Sequence, residues 1–204
     1  RVVARVRSLF GVEAAANPAP PPAWQGMPTK GTNNVVIILV DFPDQAHVNE
    51  QSLVANKIFG EGDQGDYPLE SLKKFYERSS YNQLFLQGNV LGWYRMQHDR
   101  NWYLTTYPDQ NEANRAIIDE AVQSFDANVD FKKFDNNGDG AIDYLAVIWS
   151  GPDTGWGSFW WGYQWTLFDP ITVDGVQIRD FSWQWESSPV GSPVCPDLVE
   201  PAAG

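Results

Sequence analysis

The hydrophobic pattern predicts two strands that are buried on both faces of a sheet. Residues 35–40 form a continuous apolar run rich in β-branched side chains, and Tyr144 to Trp149 form a second run. Runs without polar alternation are typical of central strands in a covered sheet. Between them, the apolar segment 84–96 predicts one or two further strands bent at glycines.

Two other segments place their apolar residues three or four positions apart and therefore predict amphipathic helices. The first runs from Pro68 to Ser79, with Asp66 and Pro68 as start signals; its apolar residues are Leu69, Leu72, Phe75 and Tyr76. The second runs from Asn111 to Phe125, with Asp109 as its cap. Its stripe consists of Ala113, Ile117, Ile118, Ala121, Val122 and Phe125.

The order of these elements predicts an α/β fold. The segment from Ile171 to Trp185 contains a hairpin that turns at Asp174-Gly175. Strands interspersed with helices indicate a mixed, twisted sheet flanked by helices. We expect residues 1–34 to be a linker or propeptide remnant, residues 35–186 to form one α/β domain, and residues 187–204 to be an extended proline-rich tail.

Charge excludes two classes of partner. Fourteen Lys and Arg against 26 Asp and Glu give a net charge of −12, which repels nucleic acids and anionic membrane surfaces. No apolar run approaches the roughly 18 residues of a membrane span. The single cysteine, Cys195, cannot form an internal disulfide, so cysteine content does not indicate the compartment.

An aspartate-rich loop at residues 135–143 carries the strongest local signal. Oxygen-bearing side chains occupy loop positions 1, 3, 5 and 9, glycine occupies position 6, and position 7 needs only its backbone carbonyl. The predicted ligands of a calcium ion are Asp135, Asn137, Asp139, Ala141 through its carbonyl, and Asp143. Several convergent oxygens are what a hard cation requires.

The same loop has a simpler interpretation, an Asx-rich turn without an ion. It is not an EF-hand, because Ala146 stands where the bidentate glutamate would be. Asp126, Asp130 and Asp153 are nearby in sequence and are either additional ligands or plain surface acids.

A cluster of aromatic residues also has two interpretations. Seven lie within thirteen residues, and Trp183 and Trp185 follow; the seven are Trp156, Phe159, Trp160, Trp161, Tyr163, Trp165 and Phe168. They either pack against the sheet or form an exposed surface for a glycan, a protein partner, a missing catalytic half or a second copy of the chain.

Several motifs, taken in order, resemble the immune inhibitor A-like family of secreted zinc metallopeptidases over about residues 33–186. Residues 36–44 (VIILVDFPD) are similar to its opening strand, and residues 74–84 (KFYERSSYNQL) to its helix-to-strand passage. The match continues through residues 88–94 (GNVLGWY), the aspartate loop with its following strand, and residues 161–186. The resemblance implies a zincin-like amino-terminal part, secretion, and a peptide or protein substrate.

The family's zinc chemistry depends on a His-Glu-x-x-His helix, in which two histidines bind zinc and the glutamate activates water. The two histidines of this sequence, His47 and His98, do not form that motif. No catalytic residue is therefore assigned, and zinc is expected only in an intact relative. The chain is either an amino-terminal fragment or a protein whose catalytic half was replaced.

Three functions remain open from the sequence. The first is the calcium-binding amino-terminal portion of a secreted zinc metalloendopeptidase-like protein, inactive in these 204 residues. The second is a non-catalytic secreted binding module that uses the tryptophan-rich face for a glycan or a protein. The third is a purely structural domain whose calcium loop only joins the helix to the strand. Serine and Cys195 nucleophiles are disfavoured, because no Gly-x-Ser-x-Gly elbow occurs and Cys195 lies among prolines.

Overall fold

The structure, a computed structural model, describes residues 26–62 and 70–186. Most of the predicted linker, the start signals Asp66 and Pro68, the proline-rich tail and Cys195 lie outside the described residues.

Among the described residues, five strands form one mixed sheet in the order β2-β1-β3-β5-β4. Their bounds are Gly31–Asp41 (β1), Leu84–Arg95 (β2), Leu145–Trp149 (β3), Tyr163–Val173 (β4) and Val176–Trp185 (β5). The first three strands and β5 are parallel, and β4 pairs antiparallel with β5 at one edge. The predicted mixed sheet is confirmed.

In the described part of the chain, four helices cover the two faces of this sheet. They are Gln51–Phe59 (α1), Leu72–Ser79 (α2), Arg100–Thr106 (α3) and Gln110–Phe125 (α4). The main core lies between α4 and the sheet face that carries Val36, Ile38 and Val40. On the opposite face, alternate residues of β1 pack against α1 and α2, as the period of two along a strand requires. The predicted α/β architecture is therefore confirmed.

The predicted elements differ from the observed ones mainly at their ends. β1 begins at Gly31, four residues before the apolar run at Val35, and segment 84–96 forms one strand, β2. Helix α4 begins at Gln110, and the Asp109 carboxylate accepts the Glu112 N–H at 3.0 Å as a cap. The pattern did not predict α1, which buries no residue and carries only a weak apolar stripe.

The hairpin turn at Asp174-Gly175 is also confirmed. Both residues have positive φ, 50° and 80°, as expected of a two-residue turn that matches the strand twist. The Asp174 carboxylate in addition accepts the Phe131 N–H at 2.7 Å, which ties the hairpin to the segment before the aspartate loop.

We expect Gly175→Ala to lower the free energy of unfolding by about 1 kcal/mol, because a Cβ disfavours this left-handed backbone conformation. Urea denaturation measures the change. Thr172→Ala, at an exposed position of the same hairpin, is the control and should change stability by less than about 0.5 kcal/mol. Equal effects of the two substitutions would contradict the turn assignment.

Candidate functional sites

The aspartate loop connects a short 3₁₀ turn, Phe131–Phe134, to β3 and wraps around the carboxylate of Asp135. One oxygen of Asp135 accepts the N–H groups of Gly138 at 2.7 Å and Asp139 at 3.1 Å. Its other oxygen accepts the Gly140 N–H at 3.0 Å. Gly138 and Gly140 have φ of 77° and 88°, so glycine permits the tight path around this side chain.

The remaining predicted ligands also contact the loop backbone. The Asn137 Oδ1 accepts the Asp139 N–H at 2.9 Å, and the Asp139 Oδ1 accepts the Ala141 N–H at 3.0 Å. The Asp143 Oδ2 accepts the N–H of Asn136 at 2.6 Å. These are the bonds of an Asx-rich turn, and each ionised carboxylate retains lone pairs for a further partner.

Burial raises the pKa of Asp143, and the negative charges of Asp139 and Asp135 raise it further. The three carboxylates therefore repel one another through the loop. Within residues 26–62 and 70–186, however, no three His, Cys, Asp or Glu side chains are grouped so that they alone could hold a metal ion. A cation here would need the Asn137 oxygen and a backbone carbonyl in addition to carboxylates.

Ala141, at loop position 7, lies beside β5. Ala141 forms an isolated parallel bridge with Gln177 of β5, in which Gly140 O accepts the Gln177 N–H and Ile142 N donates to Gln177 O, both at 2.8 Å. Because residues 140 and 142 make the bonds to β5, the N–H and C=O of Ala141 point away from β5. The Ala141 N–H accordingly donates to Asp139.

Asn136 fastens the other side of the loop to β1. Its Oδ1 accepts the Asn34 N–H at 2.7 Å, and its Nδ2 donates to the Asn34 carbonyl at 3.0 Å. The loop is thus bonded to both β1 and β5. Two of the three additional acids have other side-chain contacts: the Asp130 Oδ2 lies 3.9 Å from the Lys133 Nζ, and the Asp153 carboxylate accepts the Gly155 N–H. Asp126 is the residue at which α4 ends.

A second polar cluster lies at the carboxyl end of the parallel strands, and the sequence did not predict it. The buried carboxylate of Asp41, the last residue of β1, accepts bonds from Arg95 Nε at 2.6 Å and Nη2 at 2.7 Å. It also contacts the Nδ1 of His47 at 2.7 Å. Burial acts to raise the pKa of Asp41, but the bonds from Arg95 and His47 outweigh it and leave that pKa below its ordinary value.

The cluster extends to the end of β5. The Glu186 carboxylate accepts the backbone N–H groups of Val48, at 2.7 Å, and Asn49, and the Asn49 amide at 3.0 Å. His47 stacks on Trp93, with ring centroids 4.7 Å apart. The signal available in the sequence was the position of Asp41 directly after the apolar run at residues 35–40, at the edge where ligands of α/β sheets commonly bind.

Part of the aromatic segment packs in the core, and part of it is exposed to solvent. Phe159 and Trp160 are buried against Trp149 and Trp183 in the main core. Trp156, Trp165 and Phe168 are 86%, 51% and 76% exposed. The exposed rings, together with Trp161 and Tyr163, line a groove of about 670 Å³ against the start of α4.

A family model matches much of the chain. The model of the immune inhibitor A peptidase M6 catalytic domain matches residues 49–177, more than half of the chain. The chain belongs to the immune inhibitor A peptidase M6 family. No curated protein matches it. The match to the M6 family includes α1 to α4, the aspartate loop, β2 to β4 and the beginning of β5.

M6 peptidases are zinc enzymes, but the described residues of this chain do not fit a zinc site. His47 is held between Asp41 and Trp93, and His98 stacks on Trp102 with ring centroids 3.6 Å apart. Neither belongs to a group of three potential zinc ligands within the described residues. No zinc-dependent step is therefore assigned to them.

None of the helices in the described residues has the length and hydropathy to cross a membrane.

Proposed function

We propose that this chain forms the amino-terminal portion of a secreted zinc metalloendopeptidase-like protein and that its loop at residues 135–143 binds one calcium ion. The M6 family match and the mixed sheet, which is compatible with a zincin-like amino-terminal part, support the first statement. Peptide-bond hydrolysis, with a peptide or protein substrate and bound zinc, then belongs to an intact relative. Secretion is inferred from the family.

The calcium proposal rests on the orientation of the Ala141 backbone carbonyl. An Asx-rich turn needs side-chain oxygens at positions 135, 137 and 139, but it does not need a backbone carbonyl that points away from β5 at position 141. The bridge to Gln177 supplies that orientation at loop position 7, where calcium loops use a backbone oxygen. The Asp143 carboxylate, whose Oδ2 accepts the Asn136 N–H, supplies the oxygen at position 9.

A calcium ion at this place would join three parts of the fold. Asn136 bonds the loop to β1, Gln177 bonds it to β5, and Asp143 lies two residues before β3. The ion would also offset the repulsion between the three carboxylates. Its proposed role is therefore structural, and it stabilises the folded state by mass action.

We expect calcium to raise the melting temperature of the protein. At about a hundredfold excess over the dissociation constant, a ligand specific for the folded state adds about 2.7 kcal/mol to the free energy of unfolding. For a chain of this size, that corresponds to roughly 5–10 °C. Thermal denaturation, followed by circular dichroism in calcium and in excess chelator, measures the shift.

The variant Asp139→Ala removes the ligand at position 5 and should abolish the calcium-dependent shift. Asp99→Ala is the matched control, because Asp99 is exposed and its side chain makes no capping bond. It should retain the full shift. A melting temperature that is equal in calcium and chelator would refute the calcium proposal and leave the loop as an Asx-rich turn.

A further inference from the structure

The groove between the start of α4 and β4 contains no aliphatic side chain among the described residues that line it. Its apolar walls are the aromatic rings of Trp156, Trp161, Tyr163, Trp165 and Phe168. Tyr and Trp rings supply large, rigid contact areas at low conformational-entropy cost. Flat faces of this kind suit a ligand that is itself flat on one side.

The aromatic walls of the groove are held by α4. The Asn111 amide donates to Thr166 O at 2.9 Å, and its oxygen accepts the Phe168 N–H at 3.0 Å. Asn114 bonds to the Tyr163 hydroxyl. These two asparagines, both buried, fix β4 against α4, so Trp165 and Phe168 are presented from a rigid strand.

The polar side-chain groups at the groove include the Asp109 carboxylate and the Gln110 amide. The Asp109 Oδ1 caps α4, whereas its Oδ2 makes no hydrogen bond within the described residues. The Gln110 side chain, also at the groove, likewise has no hydrogen bond there. Asp109 is the one charged side chain among the described residues of the lining, which includes no Lys or Arg. This charge pattern opposes phosphates, sulfates and uronic acids.

We propose that this groove binds a neutral oligosaccharide. One face of a sugar ring is formed by C–H groups, which pack on the electron-rich faces of the indoles of Trp156 and Trp165. The ring hydroxyls donate to the free oxygen of Asp109 and exchange bonds with the Gln110 amide. The groove volume of about 670 Å³ lies within the range of small-ligand sites. The site is independent of the calcium loop and of peptidase activity.

The test titrates the full chain with three neutral probes, cellohexaose, maltohexaose and chitohexaose, by isothermal calorimetry and intrinsic tryptophan fluorescence. At least one probe should bind, and Trp156→Ala and Trp165→Ala should each weaken it by roughly tenfold or more. Gln110→Ala should weaken binding by a smaller factor. Trp102→Ala is the matched control, since Trp102 is partly exposed but packs on His98, outside the groove.

Three results would overturn the proposal. They are the absence of binding to every neutral probe, binding that survives in both groove variants, and tighter binding of polygalacturonate than of the neutral probes. Self-association that disappears in Trp165→Ala would assign the groove to a second copy of the chain, and binding of an apolar peptide alone would assign it to a protein partner. Melting temperatures of the variants within roughly 4 °C of wild type would show that these exposed substitutions leave the fold intact.

Discussion

Replacement of Trp183 by alanine is expected to lower the free energy of unfolding by about 3–5 kcal/mol. Trp183 is completely buried in β5, where its ring lies 5.4 Å from Phe159 and 5.8 Å from Trp160 between ring centroids. Its Nε1 donates to the Phe159 carbonyl at 3.1 Å. The substitution therefore leaves a large cavity and an unpaired carbonyl, and urea denaturation at neutral pH measures the loss.

Trp165→Ala is the matched control, because it removes the same side chain from the neighbouring strand β4. About half of Trp165 is already exposed to solvent, so its truncation should cost less than about 1 kcal/mol. Equal losses in the two variants would show that the division of the aromatic residues between core and groove is wrong.

That division could not be predicted from the sequence. The continuous run at residues 35–40 predicted a buried part of β1, and the stripe of α4 predicted its buried face, because each regular element gives its apolar residues a definite period. Trp156 and Trp160 instead lie in the connection between β3 and β4, where apolar residues do not recur at a regular spacing. Trp160 is buried because Phe42 and Trp149 are brought to it by other strands, which is information that the local sequence does not contain.

The two polar sites, the aspartate loop and the cluster around Asp41, also differ in how far the sequence predicts them. The aspartate loop is local, so its spacing alone indicated the candidate ligands, and the structure adds the orientation of Ala141. The cluster around Asp41 joins residues that are 54 positions apart for Arg95, and the adjoining contact between Asn49 and Glu186 spans 137 positions. The parallel pairing of β1 with β2 places Arg95 beside Asp41, and the parallel order of β1, β3 and β5 brings Glu186 to the same end of the sheet.

Replacement of Asp41 by alanine should lower the free energy of unfolding by about 3 kcal/mol. The side chain of Asp41 is 2% exposed and bonds to both Arg95 and His47. Truncation of one partner in a buried charged pair commonly costs about 3–5 kcal/mol. We expect the lower end, because about half of the Arg95 side chain is exposed and can regain water. Urea denaturation measures the loss. The nearby acid Asp44 does not serve as a control position, because its carboxylate accepts the Arg100 N–H.

The pH dependence distinguishes a charge effect from a cavity. Because the pKa of Asp41 is below its ordinary value of 3.8 in the folded protein, its ionised form contributes stability above that value and loses it as the pH falls through the lower folded pKa. Asp41→Asn retains the shape and an acceptor but not the charge. The difference in unfolding free energy between wild type and Asp41→Asn should be present at neutral pH and shrink below about pH 4. A difference that stays constant over this range would show that the negative charge of Asp41 does not stabilise the carboxyl end of the sheet.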